Sequence, residues 1–201
     1  MYRNVKTIIY IFCEWTTEEN YFKKIKQIFR VPIKINIVDL KGWTKIKDNP
    51  EWVKRKILKT LKRDNPKIWW LEPKVFIIFD LDIFENWWQL DNTINFLKEF
   101  NVIVNNEIFE YWILSHFETY DLWSWKSIYF SKIKFYLEKL GFKLKSNKFT
   151  WSTDYNWLNK NYIKIAVDNV KEVNEKSNWN LKSRDPYSNM YKIIKYLETN
   201  K

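Results

Sequence analysis

Several residue types are nearly missing from this chain of 201 residues, which holds one Cys, one Ala, two Gly and five Pro. A single cysteine, Cys13, cannot close an intramolecular disulfide, which fits a reducing cytoplasm. No apolar run approaches the roughly 18 residues needed to cross a bilayer, so a soluble protein without membrane association is expected. The opening MYRNVKTIIYIFCEW carries its apolar stretch straight into Glu14 and lacks the small-residue cleavage site of a secretory signal. Repeats and long low-complexity linkers are missing too. What is there is 46% hydrophobic and 19% aromatic, enough for one domain or for a core domain with a helical extension.

Arginine is also scarce. The net charge of +11 comes from 35 Lys and Arg against 24 Asp and Glu, and such an excess favours polyanion partners such as nucleic acid. Five of the 35 are Arg, although base-edge and bidentate phosphate contacts lean on that residue. With 21 Asn and 24 Ile against one Ala, the profile is that of an AT-rich coding sequence, so part of the charge is mutational bias.

The two glycines stand beside 13 tryptophans. Ordinary usage of roughly 7% would give a chain of this length about 14 Gly, close to the two residue types combined. Trp15, Trp87, Trp88, Trp123, Trp125, Trp151, Trp157 and Trp179 all lie in turn contexts that favour glycine. Either many of these positions are glycines encoded by UGA, or the surface is rich in Trp. Trp112, inside the apolar helical run FEYWILSHF, reads as a genuine Trp.

Residues 5–13 (VKTIIYIFC) form a continuous β-branched and aromatic run, the pattern of a strand buried on both faces. A helix follows, capped by Thr16 or Thr17, with Glu18 and Glu19 in its first turn and Tyr21, Ile25, Ile28 and Phe29 at helical spacing. Residues 33–38 read as a second strand, residues 50–63 as a helix, residues 75–81 (VFIIFDL) as a third buried strand, and a helix follows near 90–100. Residues 101–104 make a fourth short strand, and 109–117 a helix that brings in His116. Strands alternating with helices imply a parallel sheet. From about Tyr120 the chain reads mainly as helix, with Tyr129, Ile133, Tyr136 and Leu140 stopped by Gly141, and further apolar stripes around Ile163–Val170 and Met190–Leu197. The expected division is an α/β core over residues 1–118 and a helical extension over 119–201 packed on it.

In an open parallel α/β sheet, ligands bind outside the carboxyl ends of the strands. Glu14 and the pair Asp80 and Asp82 all fall at that edge. Alternation along an extended segment points Asp80 and Asp82 to one side if Leu81 turns into the sheet, and Glu14 completes a three-carboxylate set. Such a set suits Mg²⁺, which takes oxygen ligands and keeps several waters. A DxD after an apolar strand also opens haloacid-dehalogenase-type phosphatases and marks many glycosyltransferases. In the former it usually stands near the N-terminus, whereas here it follows a complete strand–helix–strand–helix unit. Glu85, beyond the strand among turn residues, reads as solvated.

The strand ending in CEWTTEENYF (13–22), followed by VFIIFDLD (75–82), resembles the Toprim domain of topoisomerases, primases and OLD-type nucleases. More specifically, CEWTTEENYF is similar to the CEG-x-TE-x-x-YF opening of the RloB-like abortive-infection family. NNEIFEYWILSHFE (105–118) is similar to that family's SNPCFELWLLLHFE segment, and DPYSNMYKIIKYL (185–197) resembles its closing Pro-Ser-x-x-x-x-Lys-x-x-x-x-Leu stretch. The resemblance spans residues near 5 to 197. It implies a Toprim-like sheet of about four strands, and Mg²⁺- or Mn²⁺-dependent nuclease or phosphoryl-transfer chemistry in antiphage defence. It also implies nucleic acid as a partner and, often, an ATPase of the RloA type. Carried over residue by residue, Glu14 would be the acid/base, and Asp80 and Asp82 would hold the metal that Glu14 completes. The chain departs from the family at Trp15, which replaces glycine, and at Asn105, Asn106 and Glu107, which replace Ser-Asn-Pro.

Secondary candidates are Glu110 and His116. Six residues apart on one helix, they fall on different faces and do not suit one ion. His116 reads as a packed or hydrogen-bonded helix residue, with a proton shuttle as the alternative. Glu110, among Phe109, Tyr111 and Trp112, could extend the acidic cluster. Cys13 reads as a small buried hydrophobe rather than a nucleophile. The stretch YFSKIKFYLEKLGFKLK (129–145) could stack bases and contact phosphates, or be an amphipathic helix with a solvated Lys face. The functional alternatives are a non-catalytic subunit that binds nucleic acid or an ATPase, and a haloacid-dehalogenase-like phosphatase with Asp80 as nucleophile.

Overall fold

The computed structural model describes residues 8–13, 16–30, 49–64, 73–106, 108–121, 124–142, 155–178 and 186–200. The expected strand at 33–38 and residues Glu14, Trp15 and Glu107 lie outside these segments. The described elements are β1 (Ile9–Phe12), α1 (Thr16–Phe29), α2 (Pro50–Asp64), β2 (Lys74–Asp80), a 3₁₀ turn (Leu81–Ile83), α3 (Trp87–Phe96), β3 (Asn101–Asn105), α4 (Phe109–Leu114), α5 (Lys126–Lys139), a second 3₁₀ turn (Tyr155–Trp157), α6 (Lys160–Lys176) and α7 (Tyr191–Thr199).

Three of the four expected strands are present, and they pair in parallel in the order β1-β2-β3. Their uninterrupted apolar runs have a direct cause, since side chains alternate between two faces and both faces are covered. On one face Ile9, Ile11, Phe76, Ile78 and Ile103 pack into a core shared with α1 and α4 to α7. On the other, Tyr10, Phe12, Val75, Ile77, Phe79 and Val104 meet Val53 and Ile57 of α2 and Leu90 of α3. The C-terminal helices therefore share the core of the sheet.

Local sequence sets the helix ends. Asn86 caps α3 by accepting the Gln89 backbone N–H at 3.0 Å, so the helix starts three residues before Leu90 and stops at Phe96 rather than near 100. Asn159 caps α6 by accepting from the N–H groups of Asn161 and Tyr162. Beyond α5, Gly141 adopts φ +84, and the Phe142 N–H returns to the Leu137 carbonyl at 2.9 Å, a left-handed stop that glycine allows without strain. α4 is shorter than expected and unwinds into a turn after Leu114.

The segment before α7 seals the outer edge of β3. The Val104 N–H donates to the Asn189 side chain at 2.7 Å, the Asn106 N–H donates to the Tyr187 carbonyl, and Asn105 forms an antiparallel bridge with Ser188. Backbone groups that would stand open at a sheet edge are thus partnered.

Candidate active site

Asp80 ends the central strand and is 6% exposed. Alternation along β2 puts it on the face of Phe76 and Ile78, and the pairing register sets it opposite Asn105 of β3. The Asn105 Nδ2 donates to Asp80 Oδ1 at 3.2 Å. Asn105 is itself held, because its Oδ1 accepts from the Ser188 hydroxyl at 2.7 Å. Ser188 is fixed by Asn174 of α6, whose Nδ2 donates to the Ser188 carbonyl at 2.8 Å, and its Oγ accepts the Met190 N–H at 3.2 Å. Two serial hydrogen bonds therefore orient the Asn105 amide with its NH₂ toward the carboxylate.

Two helix starts bring further carboxylates to this edge. Glu18 lies in the first turn of α1 and Glu110 in the first turn of α4, both buried. Burial pushes the Asp80 carboxyl well above its ordinary value, the charges of Glu18, Glu110 and Asp82 push it further, and the Phe109 backbone N–H works against them. Burial also raises Glu110, with Lys126 opposing and Asp82 adding. Asp82 is raised by partial desolvation at the cleft and drawn back by Lys126, the first residue of α5. One ammonium thus faces a group of carboxylates that repel one another.

Asp80 and Asp82 are brought together electrostatically but do not share an environment. Extended alternation does not continue past Asp80, because residues Leu81–Ile83 turn into a 3₁₀ helix. Leu81 packs into the core, as expected, while Asp82 is exposed at the rim of a cleft of about 760 Å³. Among the described residues, no three His, Cys, Asp or Glu side chains are already gathered as a metal centre. β1 is parallel to β2, so its carboxyl end shares the edge of Asp80, and Glu14 follows one residue beyond the described Cys13.

His116 and Cys13 stand apart from this chemistry. The His116 ring is fully buried, with Nδ1 at 2.9 Å from the Trp112 carbonyl and 3.2 Å from that of Ile113. Carbonyls can only accept, so Nδ1 carries the proton, and Nε2 accepts from the Tyr21 hydroxyl at 3.2 Å. Burial lowers its pKa to about 4 against the pull of the two carbonyls. Tyr21, Trp112 and Trp157 meet the ring edge-on. The Cys13 thiol is pushed up by burial and then by Glu18 and Glu19, which keeps it protonated.

Sequence reasoning missed Glu18, Asn105, Lys126 and Ser188 as members of the site. Glu18 carried a signal, since the first turn of a helix that directly follows a strand faces the same edge as that strand's carboxyl end. The others depend on contacts between distant segments.

These features define an α/β protein whose parallel sheet carries a carboxylate site at its carboxyl edge. The chain belongs to the RloB-like protein family, whose model matches residues 9–197. No curated protein and no solved structure matches it. No helix among the described residues is long and apolar enough to cross a membrane.

Proposed function

We propose that this protein is a metal-dependent, Toprim-type nuclease that hydrolyses phosphodiesters of nucleic acid in antiphage defence, working beside an ATPase of the RloA type. The observation that carries the reading is the buried Asp80 at the end of the central strand, oriented by Asn105 and surrounded by the charges of Glu18, Glu110 and Asp82. Carboxylates that raise one another's pKa favour a hard divalent cation, and their oxygen donors suit Mg²⁺ or Mn²⁺. Asp80 and Asp82, with Glu14, would hold it, and the cation supplies charge neutralisation at the phosphate and a more acidic water.

The chain's own groups do the rest. Asn105 holds the Asp80 carboxylate through one of its oxygens. Glu14 transfers the proton between the attacking water and the leaving oxygen. Lys126 offsets negative charge where the phosphate enters.

Cleavage of labelled DNA and RNA with Mg²⁺ or Mn²⁺, compared between the protein and its Asp80→Asn variant, tests this. Cleavage that the variant loses supports the assignment, and cleavage that it retains overturns it. Hydrolysis of small phosphomonoesters without cleavage of either polymer would identify a phosphatase instead.

A further inference from the structure

The cleft beside Asp82 opens next to the carboxylate edge, and the proposed reaction uses only its rim, at Asp82 and Lys126. Its buried members Leu81, Leu90 and Ile108, with the half-buried Phe84, make an apolar floor, while the exposed Asp82, Glu85 and Lys126 stand at its rim. Its volume of about 760 Å³ lies within the range of small-ligand sites. The ring of Phe84 leans on Phe79 with centroids 5.4 Å apart and is fixed in place. We propose that this cleft takes one unpaired base of a single-stranded nucleic acid, with the adjoining phosphate between Lys126 and the carboxylate edge.

A flat apolar solute suits the floor, and a base attached to a backbone brings an anion to Lys126 at the rim. Lys126, the first residue of α5, lines the cleft together with Asp82, which places it where the cleft adjoins the carboxylate edge. A stacked base pair exposes no free face, so a duplex must unstack before a base can enter. The net charge of +11 favours the polymer over an uncharged ligand. The floor does not depend on Trp87 or Trp125, which are exposed members of the lining.

This inference rests on the phosphodiester reading, and its test separates the two. Fluorescence anisotropy of a labelled single-stranded oligonucleotide and of its duplex, without divalent cation, is compared for the protein and for Lys126→Ala and Phe84→Ala, with thermal melting confirming that each variant folds. The expected result is tighter binding of the single strand and a loss of about tenfold in each variant. Equal affinity for the duplex, or variants that bind like the parent, overturns the cleft assignment even if cleavage with Mg²⁺ is observed. Loss of single-strand binding in the variants together with no cleavage under any condition keeps the cleft and overturns the nuclease reading.

Discussion

Asp80 and His116 are both buried ionisable groups on the same side of the sheet, yet their surroundings push them in opposite directions. Asp80 has one oriented amide, one backbone N–H and three carboxylate charges around it, and holds its proton more tightly than an ordinary carboxyl. His116 has hydrogen-bond partners for both ring nitrogens and aromatic rings on its edges, and sheds its proton to stay neutral. The histidine's needs are met by the fold. Asp80 instead has carboxylate charges as neighbours, and like charges gathered at a sheet edge are destabilising unless something positive joins them. Under the proposed nuclease reading, the carboxylate set serves the reaction and the histidine serves the fold.

The largest expected effect separates the two centres by activity. Asp80→Asn should abolish metal-dependent cleavage while raising the melting temperature of the metal-free protein at neutral pH, since it removes, without changing shape, a carboxyl that ionises less readily folded than unfolded. His116→Ala should do the reverse. It opens a cavity and leaves the Tyr21 hydroxyl without its acceptor, costing about 3–4 kcal/mol in urea denaturation, with cleavage per folded molecule unchanged.

Acidity sharpens the contrast. A carboxyl whose pKa is raised on folding contributes stability that is complete below its unfolded value and lost as pH rises through its folded value, so the Asp80 edge favours acid. His116, lowered from 6.5 to about 4, contributes stability that is complete above pH 6.5 and lost as pH falls through 4, a change of about 3 kcal/mol. Denaturation curves between pH 4 and 8 should therefore show a steeper acid loss in Asp80→Asn than in the parent, and a shallower one in His116→Gln. Equal pH dependence in all three proteins would break the comparison.

A smaller effect is expected at Ser188. Ser188→Ala removes the hydrogen bond that orients Asn105, and cleavage should fall by about tenfold in kcat with little change in KM. An unchanged kcat would show that Asn105 keeps its orientation without Ser188.

The three described strands were legible as apolar runs, because a sheet covered on both faces leaves no room for polar alternation. Helix interiors were legible by periodicity, but α3 began early because Asn86, read as part of a turn, is its cap. The carboxylates of β2 were legible as a pair, while their different exposures were not, since the 3₁₀ turn at Leu81–Ile83 breaks the alternation that placed them side by side. Asn105 and Ser188 lie 83 positions apart, and no local pattern could join them. Glu18 looked like an ordinary first-turn acid until the parallel sheet aligned the start of α1 with the end of β2.

Asp80 holds a proton more tightly than an ordinary carboxyl, so a divalent cation bound at the carboxylate edge competes with that proton. Calorimetric titration of the protein with Mn²⁺ at neutral pH, in buffers of different ionisation enthalpy, measures protons released per ion bound. The account predicts binding with net proton release that disappears in Asp80→Asn. Binding without proton release, or binding that Asp80→Asn leaves intact, would contradict it.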